Sequence, residues 1–260
     1  MATPLGIRAE RLARVRALRT VKGRREQRRF AFEGGTLLGE ARASGFPIEE
    51  VYATQDAYGA VPLVRELEAE GTPVFLVEPA TAATLSDVTT PSGIIALAPM
   101  RVLGPAELFG RGSPVLVLAD VGDPANAGSL LRSGDAFGCA GVLFGSLGVD
   151  PYHPKVVRGS MGAVFRLALA VGGPAATAEA AAAHGVSLLG LTADGAPLRG
   201  ERWQAPSAIV VGHERRGLGP WAALCDRFLA VAMAGPAESL SAAVAGSIAL
   251  YEASLAASSS

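Results

Sequence analysis

The sequence has too few cysteines and histidines to build a disulfide framework or a zinc site. Cys139, Cys225 and three histidines are all that 260 residues contain, and no set of them has metal-ligand spacing. No apolar run approaches the roughly 18 residues of a membrane-spanning helix. No apolar segment follows the charged N-terminus, as it would in a signal peptide. We therefore expect a soluble cytoplasmic protein that binds no metal.

Charged residues are also sparse, at 18% of the chain against 50% hydrophobic residues. This balance excludes an intrinsically disordered protein. Glycine and proline are scattered without a three-residue period, which excludes collagen. The length is comfortable for two domains, each with its own core.

Basic residues are concentrated at the start of the chain. Residues 1–30 hold ten basic and two acidic side chains, whereas the other 230 hold 13 basic and 22 acidic ones. A positive segment on an acidic body favours a polyanion partner such as RNA or DNA, and arginine binds phosphate bidentately. The alternative is a solvated basic helix whose buried edge is formed by Leu12, Val15 and Leu18. The RNA-binding candidates in this segment are Arg24, Arg25 and Arg28.

Alternating apolar patterns predict an α/β protein with a linker at 99–114, which is rich in glycine and proline. Predicted strands are 29–33, 51–54, 74–77, 94–98, 115–119, 141–144, 187–191, 208–211 and 228–231. Predicted helices are 34–44, 61–70, 127–137 and a last helix from near Ser239 with Leu240, Val244, Ile248, Tyr251 and Leu255 on one face. Such alternation predicts a mostly parallel sheet, whose ligand binds at the carboxyl ends of the strands.

The loop at 120–132 joins an apolar strand to a helix. Asp123 or Asn126 is expected to cap that helix, and Pro124 suits its first turn. Arg132 is expected about one turn into the helix, near the strand ends. The alternative interpretation is a capped loop with a surface arginine.

Three further loops carry polar residues. In 155–162, Arg158 and Ser160 are candidates to contact phosphate or to position another loop, or the segment is only a glycine-bearing helix end. In 210–219, Gly212 makes a tight turn, but the spacing is not that of a dinucleotide-binding fingerprint. His213 is expected to be a turn residue there, and Glu214 is an acid at a strand end. In 231–245, Ser239 or Ser241 is a plausible helix cap.

In this order and spacing the four loops resemble the motifs of the SpoU/TrmH family, which are S-adenosylmethionine-dependent RNA 2′-O-ribose methyltransferases of the SPOUT class. The resemblance covers 115–251, and 29–40 resembles the start of the family's small substrate-binding domain. It implies an RNA-binding α/β domain at 1–105 and a trefoil-knotted methyltransferase domain at 106–260. It also implies a homodimer with active sites near the subunit interface, and ribosomal RNA is favoured over tRNA as the substrate.

The resemblance assigns residues by motif. The expected catalytic residues are Asn126, Arg132, Glu214 and Ser241. The expected cofactor-binding residues are Gly212, Val231, Met233, Ser239 and Leu240. Arg158 and Ser160 join the RNA-binding candidates. Because a guanidinium has a pKa above about 12, Arg132 is expected to stabilise the developing oxyanion and not to act as a base.

The sequence departs from the family pattern at three positions. His213 stands where asparagine or serine is usual, Ala232 replaces a proline, and Ser241 replaces an asparagine. Ser241 keeps a hydroxyl but has a shorter reach than asparagine. The alternatives are therefore a non-catalytic RNA-binding protein that retains the fold, a tRNA 2′-O-methyltransferase, and an unrelated nucleotide-binding α/β enzyme.

Overall fold

The computed structural model describes residues 3–4, 9–201, 203, 206–237 and 239–258. Its strands are β1 Thr3–Pro4, β2 Arg29–Glu33, β3 Glu50–Ala53, β4 Val74–Leu76, β5 Ile94–Pro99, β6 Val115–Ala119, β7 Gly141–Gly145, β8 Ala168–Gly172, β9 Ser187–Pro197, β10 Ser207–Gly212 and β11 Arg227–Ala230. Its helices are α1 Ala9–Ala17, α2 Val21–Gln27, α3 Gly35–Ala43, α4 Gln55–Ala60, α5 Pro62–Ala69, α6 Pro79–Leu85, α7 Pro105–Phe109, α8 Pro124–Ala136, α9 Pro154–Gly159, α10 Ala163–Arg166, α11 Pro174–His184 and α12 Ala242–Ser258, with a 3₁₀ helix at Gly219–Leu224.

The chain forms two compact units. Unit 1 comprises the residues up to Met100 together with Tyr152–Phe165, and unit 2 comprises Arg101–Pro151 and the residues from Arg166 onward. Among the described helices, none is long and apolar enough to cross a membrane.

Unit 1 contains a mixed five-stranded sheet in the order β1-β4-β3-β5-β2. Strands β1, β4 and β3 pair in parallel, and β5 is antiparallel to both β3 and β2. Helix α1 packs on the sheet through Leu12 and Val15, and Leu18 just after the helix joins them; all three are at most 3% exposed. The amphipathic pattern predicted for the basic segment is confirmed.

Five aromatic rings from two distant parts of the sequence form a cluster in unit 1. The ring of Phe30 lies 4.4 Å from Tyr152 and 6.2 Å from Phe46. Phe165 lies 5.0 Å from Phe32 and 5.3 Å from Phe46. These contacts place the segment Tyr152–Phe165 in unit 1 although it lies far along the chain.

We expect Phe30→Ala to lower the free energy of unfolding by about 3–5 kcal/mol, because it leaves a cavity in a fully buried cluster. Urea titration followed by circular dichroism measures this change. The matched control is Phe228→Ala, since Phe228 is 39% exposed. A similar loss in both variants would contradict the prediction.

Unit 2 contains a six-stranded sheet in the order β11-β9-β10-β6-β7-β8, with every pairing parallel. Every residue of β6 and β7 is buried, as expected for parallel strands covered on both faces. From β6 the chain adds β7 and β8 on one side. It then crosses to the other side, where β9 forms first and β10 fills the place next to β6. This reversal creates a switch point between β6 and β10, where a ligand crevice forms in open parallel sheets.

Several predicted boundaries differ from the structure. The linker predicted at 99–114 contains helix α7, because Pro105 occupies the first helical position and the Glu107 side chain accepts from the Gly104 amide. Strand β9 continues to Pro197, well past its predicted end. Strands β1 and β8 and the helices α4, α6, α10 and α11 were not predicted, whereas α9 ends at Gly159, as the helix-end interpretation of 155–162 expects.

The last helix, α12, begins at Ala242 and turns its predicted apolar face outward. Val244, Tyr251 and Leu255 are 45–48% exposed. The helix packs inward through small residues instead, because a side chain on Gly246 would overlap Leu130 of α8. Ala249, Leu250 and Ala253 are buried as well, so the inward face of α12 consists mostly of small residues.

Candidate active site at the carboxyl ends of the parallel strands

A crevice of about 400 Å³ opens at the carboxyl ends of the strands in unit 2. Its walls come from the middle of β9, from the end of β10 and the turn after it, from the loop after β11 and from the start of α12. Among the lining residues are Leu191, Thr192, Gly212, Met233 and Leu240. This volume lies in the range of about 300–1,000 Å³ that small-molecule sites occupy.

The Glu214 carboxylate joins the loop after β10 to the loop after β6. It accepts hydrogen bonds from Asn126 Nδ2 at 2.9 Å and from the amides of Gly122 and Asp123 at 3.2 Å. Partial burial raises the pKa of Glu214, but these donors outweigh it and bring the pKa below the ordinary value. Glu214 therefore stays ionised in the neutral range and fixes the start of α8.

Helix α8 starts earlier than predicted. Asp123 Oδ1 accepts from the Ala125 amide at 2.8 Å, so Asp123 is the cap and Pro124 is the first helical residue. Asn126 is left free to donate to Glu214. Arg132 is consequently more than two turns into the helix, not one turn as predicted, and about 9 Å along the axis from Asn126.

Arg132 is exposed on α8. Within the described ranges, no hydrogen bond or ion pair engages its guanidinium. Asn126 and Glu214 bind each other and do not bind Arg132. The guanidinium is thus available to a substrate.

The turn after β10 is closed by two hydrogen bonds between the backbones of His213 and Gly217, each 2.9 Å long. His213 Nδ1 also accepts from the Arg215 amide at 3.0 Å, so the imidazole orders the turn. Gly212 packs against this turn, because a Cβ there would lie 2.6 Å from the Gly217 carbonyl oxygen. Arg215 and its neighbour Arg216 point outward and are exposed.

The loop after β11 completes the crevice. Val231, Met233, Ser239, Leu240 and Ser241 all line it. Ser241 Oγ accepts from the Val244 amide at 3.3 Å, which is the bond of a helix cap. Of the two serines proposed as caps, the structure selects Ser241.

Several crevice residues are absent from the predicted site, among them Leu191 and Thr192 of β9. Thr192 lies in the part of β9 that extends beyond the predicted strand. Its hydroxyl oxygen is buried and has no hydrogen-bond partner among the described residues. Such an oxygen in a crevice wall is suited to bind a ligand.

The second motif lies in unit 1. Ser160 is 1% exposed, and its hydroxyl donates to the Val157 carbonyl at 2.7 Å, so the predicted RNA contact is replaced by a helix-end bond. Arg158 NH1 lies 2.9 Å and 3.1 Å from the two carboxylate oxygens of Asp87, and its side chain remains 43% exposed.

The three basic-segment candidates differ in exposure. Arg24 is 1% exposed and donates from its guanidinium to the Leu18 carbonyl at 2.9 Å, beyond the end of α1. The structure thus gives Arg24 a structural role in place of the predicted RNA contact. Arg25 and Arg28 are exposed.

Among the described residues, no group of three or more histidine, cysteine, aspartate or glutamate side chains is arranged to hold a metal ion. The six-stranded parallel sheet, with a crevice beyond the end of β10, is the arrangement of an α/β protein, in which ligands bind at the carboxyl ends of the strands.

The chain belongs to the SpoU rRNA methylase family, which matches residues 113–251. Residues 9–96 match the MRM3-like substrate-binding domain. These matches confirm the resemblance inferred from the four loops, and the parallel α/β fold that it implied is confirmed by the sheet of unit 2.

The similarity to known proteins extends over nearly the whole chain. The 23S rRNA (guanosine(2553)-2′-O)-methyltransferase RlmP of Bacillus subtilis is 29% identical, with 90% of this chain and 92% of RlmP covered. The SpoU methyltransferase AviRb of Streptomyces viridochromogenes, solved with AdoMet, is 26% identical at a TM-score of 0.83, covering 96% of this chain and 99% of AviRb. An AdoMet-bound rRNA methyltransferase of Sinorhizobium meliloti is 25% identical at a TM-score of 0.83, covering 97% and 96%.

Proposed function

We propose that the protein transfers a methyl group from S-adenosylmethionine to a ribose 2′-hydroxyl of ribosomal RNA. The observation that carries the proposal is the hydrogen bond between Asn126 and Glu214, which joins the first motif to the wall of the crevice. The similarity to 2′-O-methyltransferases of 23S rRNA supports the same reaction and substrate.

The crevice residues fit S-adenosylmethionine. Leu191, Met233 and Leu240 offer apolar surface to the adenine ring and the methionine chain. The Thr192 hydroxyl, which has no hydrogen-bond partner within the described part of the chain, offers a polar contact. The close approach of Gly212 to the turn at Gly217 brings backbone amides and carbonyls to the crevice wall. Val231, Ser239 and Ser241 complete the proposed cofactor site.

When bound, the cofactor supplies an electrophilic methyl group on a good leaving group. The protein then has to orient the ribose and stabilise the negative charge that develops on its 2′-oxygen. Arg132 is proposed for the second task, because its guanidinium is exposed and remains charged. Glu214 holds the start of α8, and therefore Asn126, in place.

We assign RNA selection to the domain at 1–105 together with the segment Tyr152–Phe165, which belongs to unit 1, and methyl transfer to the rest of the domain at 106–260. Arg25 and Arg28 are the basic-segment residues exposed to a phosphate, and Arg158 adds a partly exposed guanidinium. Arginine contacts of this type give affinity with little sequence readout.

We further propose that the protein is a cytoplasmic homodimer with a trefoil knot in its methyltransferase domain, as the family resemblance implies. Val244, Tyr251 and Leu255 support the dimer, because they form an exposed apolar face on α12 that a second copy would cover. Light scattering that gives the mass of a single chain would contradict the dimer.

The direct test of the function is incubation of the purified protein with tritium-labelled S-adenosylmethionine and either ribosomal RNA or tRNA lacking the modification. We expect label in ribosomal RNA at one nucleotide, which resists alkaline cleavage because its 2′-oxygen is blocked. Label in tRNA alone would overturn the substrate assignment. Cofactor binding without transfer to either RNA would favour a non-catalytic RNA-binding protein.

We expect the double substitution Arg25→Ala and Arg28→Ala to weaken RNA binding and to reduce the slope of log affinity against log salt concentration by about one to two. The affinity for S-adenosylmethionine should not change. Filter binding at several salt concentrations measures the slope. The control is Arg111→Ala, which also removes an exposed arginine, and an equal effect of the control would contradict the assignment.

A further inference from the structure

Asp120 is a buried acid that the proposed mechanism does not use. It follows the last residue of β6 and is 8% exposed. Its Oδ1 accepts from the Leu147 amide at 3.1 Å, and its Oδ2 accepts from the Trp221 indole nitrogen at 2.9 Å. Its φ is +56°, a left-handed conformation that is strained for a residue with a side chain.

The contact with Trp221 is one half of a reciprocal arrangement. On the segment after β10, the Glu214 carboxylate accepts hydrogen bonds from the amides of Gly122 and Asp123, which follow Asp120. On the segment after β6, the Asp120 carboxylate accepts a hydrogen bond from the indole of Trp221, which lies seven residues beyond Glu214. Each segment is therefore held at two points by the other.

The loop after β7 is held by the same residue. Besides the Leu147 bond to Asp120, the Val149 amide donates to the Val121 carbonyl at 2.9 Å. Gly148 faces this contact with no space for a side chain, because a Cβ there would lie 2.8 Å from the Val121 oxygen. Three loops at the strand ends thus meet at Asp120.

We propose that Asp120 is a positioning residue for methyl transfer, which holds the Trp221 segment so that Glu214 meets Asn126. The inference rests on the proposed function. Left-handed residues other than glycine persist where the surroundings impose them, and they cluster at functional sites. A backbone turned in this way directs the carboxylate back under its own loop, where both donors reach it.

The decisive variant is Asp120→Asn. Asparagine has nearly the same shape and tolerates the left-handed conformation. It replaces one acceptor oxygen by an NH₂ group, so one of the two N–H donors then faces another donor. We expect kcat for methyl transfer to ribosomal RNA to fall about 10- to 100-fold, as a small misplacement of reacting groups does. The dissociation constant for S-adenosylmethionine should change far less.

Trp221→Phe removes the same hydrogen bond from the other side. It should reduce kcat in the same direction, and the double variant should be no slower than the slower single variant, because both changes break one interaction. Additive losses would overturn the proposal. If Asp120→Asn does not fold, a Trp221→Phe variant with full kcat would overturn it as well.

Asp226→Asn is the matched control. One carboxylate oxygen of Asp226 accepts from the Leu188 amide at 2.8 Å and from the Ser187 hydroxyl at 3.2 Å. These bonds lie at the start of β9, the end of the strand opposite to the crevice. Because both bonds go to one oxygen, the carbonyl oxygen of asparagine can accept both, and the control should leave kcat unchanged. Equal loss of kcat in Asp226→Asn and Asp120→Asn would show a general loss of stability and would overturn the positioning role.

A nuclear magnetic resonance measurement tests the Asp120 contact separately from the proposed methyl transfer. The chain has two tryptophans, so nitrogen-15 tryptophan labelling gives two indole signals, and Trp221→Phe identifies one of them. Asp120→Asn should shift that signal and speed the exchange of its proton with solvent. An unchanged signal would overturn the Asp120 contact alone, whereas a wild-type protein that methylates no RNA would overturn the proposed function.

Discussion

Arg132→Ala is expected to lower kcat for methyl transfer about 100- to 1,000-fold, the loss that follows removal of a donor to a developing oxyanion. The affinity for S-adenosylmethionine should be unaffected, because Arg132 does not line the crevice. Single-turnover transfer of labelled methyl to ribosomal RNA and calorimetry with the cofactor measure the two effects separately.

Two further variants sharpen that result. Arg132→Lys keeps the positive charge but loses the planar fork, so partial activity would show that charge is the larger contribution. Arg111→Ala removes an exposed arginine before β6, at the opposite end of the strand, and should leave kcat unchanged. Near-normal turnover by Arg132→Ala would contradict the proposed role.

Gly212→Ala is expected to weaken S-adenosylmethionine binding about 10- to 100-fold. A Cβ at position 212 would lie 2.6 Å from both the Gly217 oxygen and the Leu218 nitrogen, and these backbone atoms have no rotamer to change. The turn that lines the crevice would have to move, at the cost of about 1–3 kcal/mol that overpacking imposes. Calorimetric titration with the cofactor measures the dissociation constant.

The control for this substitution is Gly39→Ala in helix α3. No atom lies within 4 Å of a Cβ at that position, and alanine is the better helix former. Cofactor affinity should be retained and stability should rise slightly. If Gly212→Ala bound S-adenosylmethionine as tightly as the wild type does, the proposed importance of the Gly212 contact for cofactor binding would be contradicted.

The central strands and the loops that follow them were predictable from the sequence. The apolar run at 115–119 predicted β6, and the run at 208–211 predicted β10 within one residue at each end. Since parallel strands end at one edge of a sheet, the meeting of Asn126 with Glu214 follows from local patterns.

Two kinds of contact limit that prediction: side chains that bond back to nearby backbone, and bonds between residues far apart in the sequence. The amphipathic spacing of the basic segment does not show that Arg24 turns back to the Leu18 carbonyl. Ser160 lies in a motif that predicts an RNA contact, yet its hydroxyl donates to the Val157 carbonyl. Neither Asp120 nor Trp221 has a local signal, because their bond joins positions 101 residues apart.

The origin of unit 1 from two separate stretches of chain has a consequence for biosynthesis. Phe30, Phe32 and Phe46 leave the ribosome long before Tyr152 and Phe165, the rings that complete their cluster. Domains generally fold in the order of synthesis. The aromatic cluster of unit 1, however, is complete only after translation has passed residue 165, well into the sequence of unit 2. During that interval the three phenylalanine rings lack the two partners that help to bury them in the folded protein.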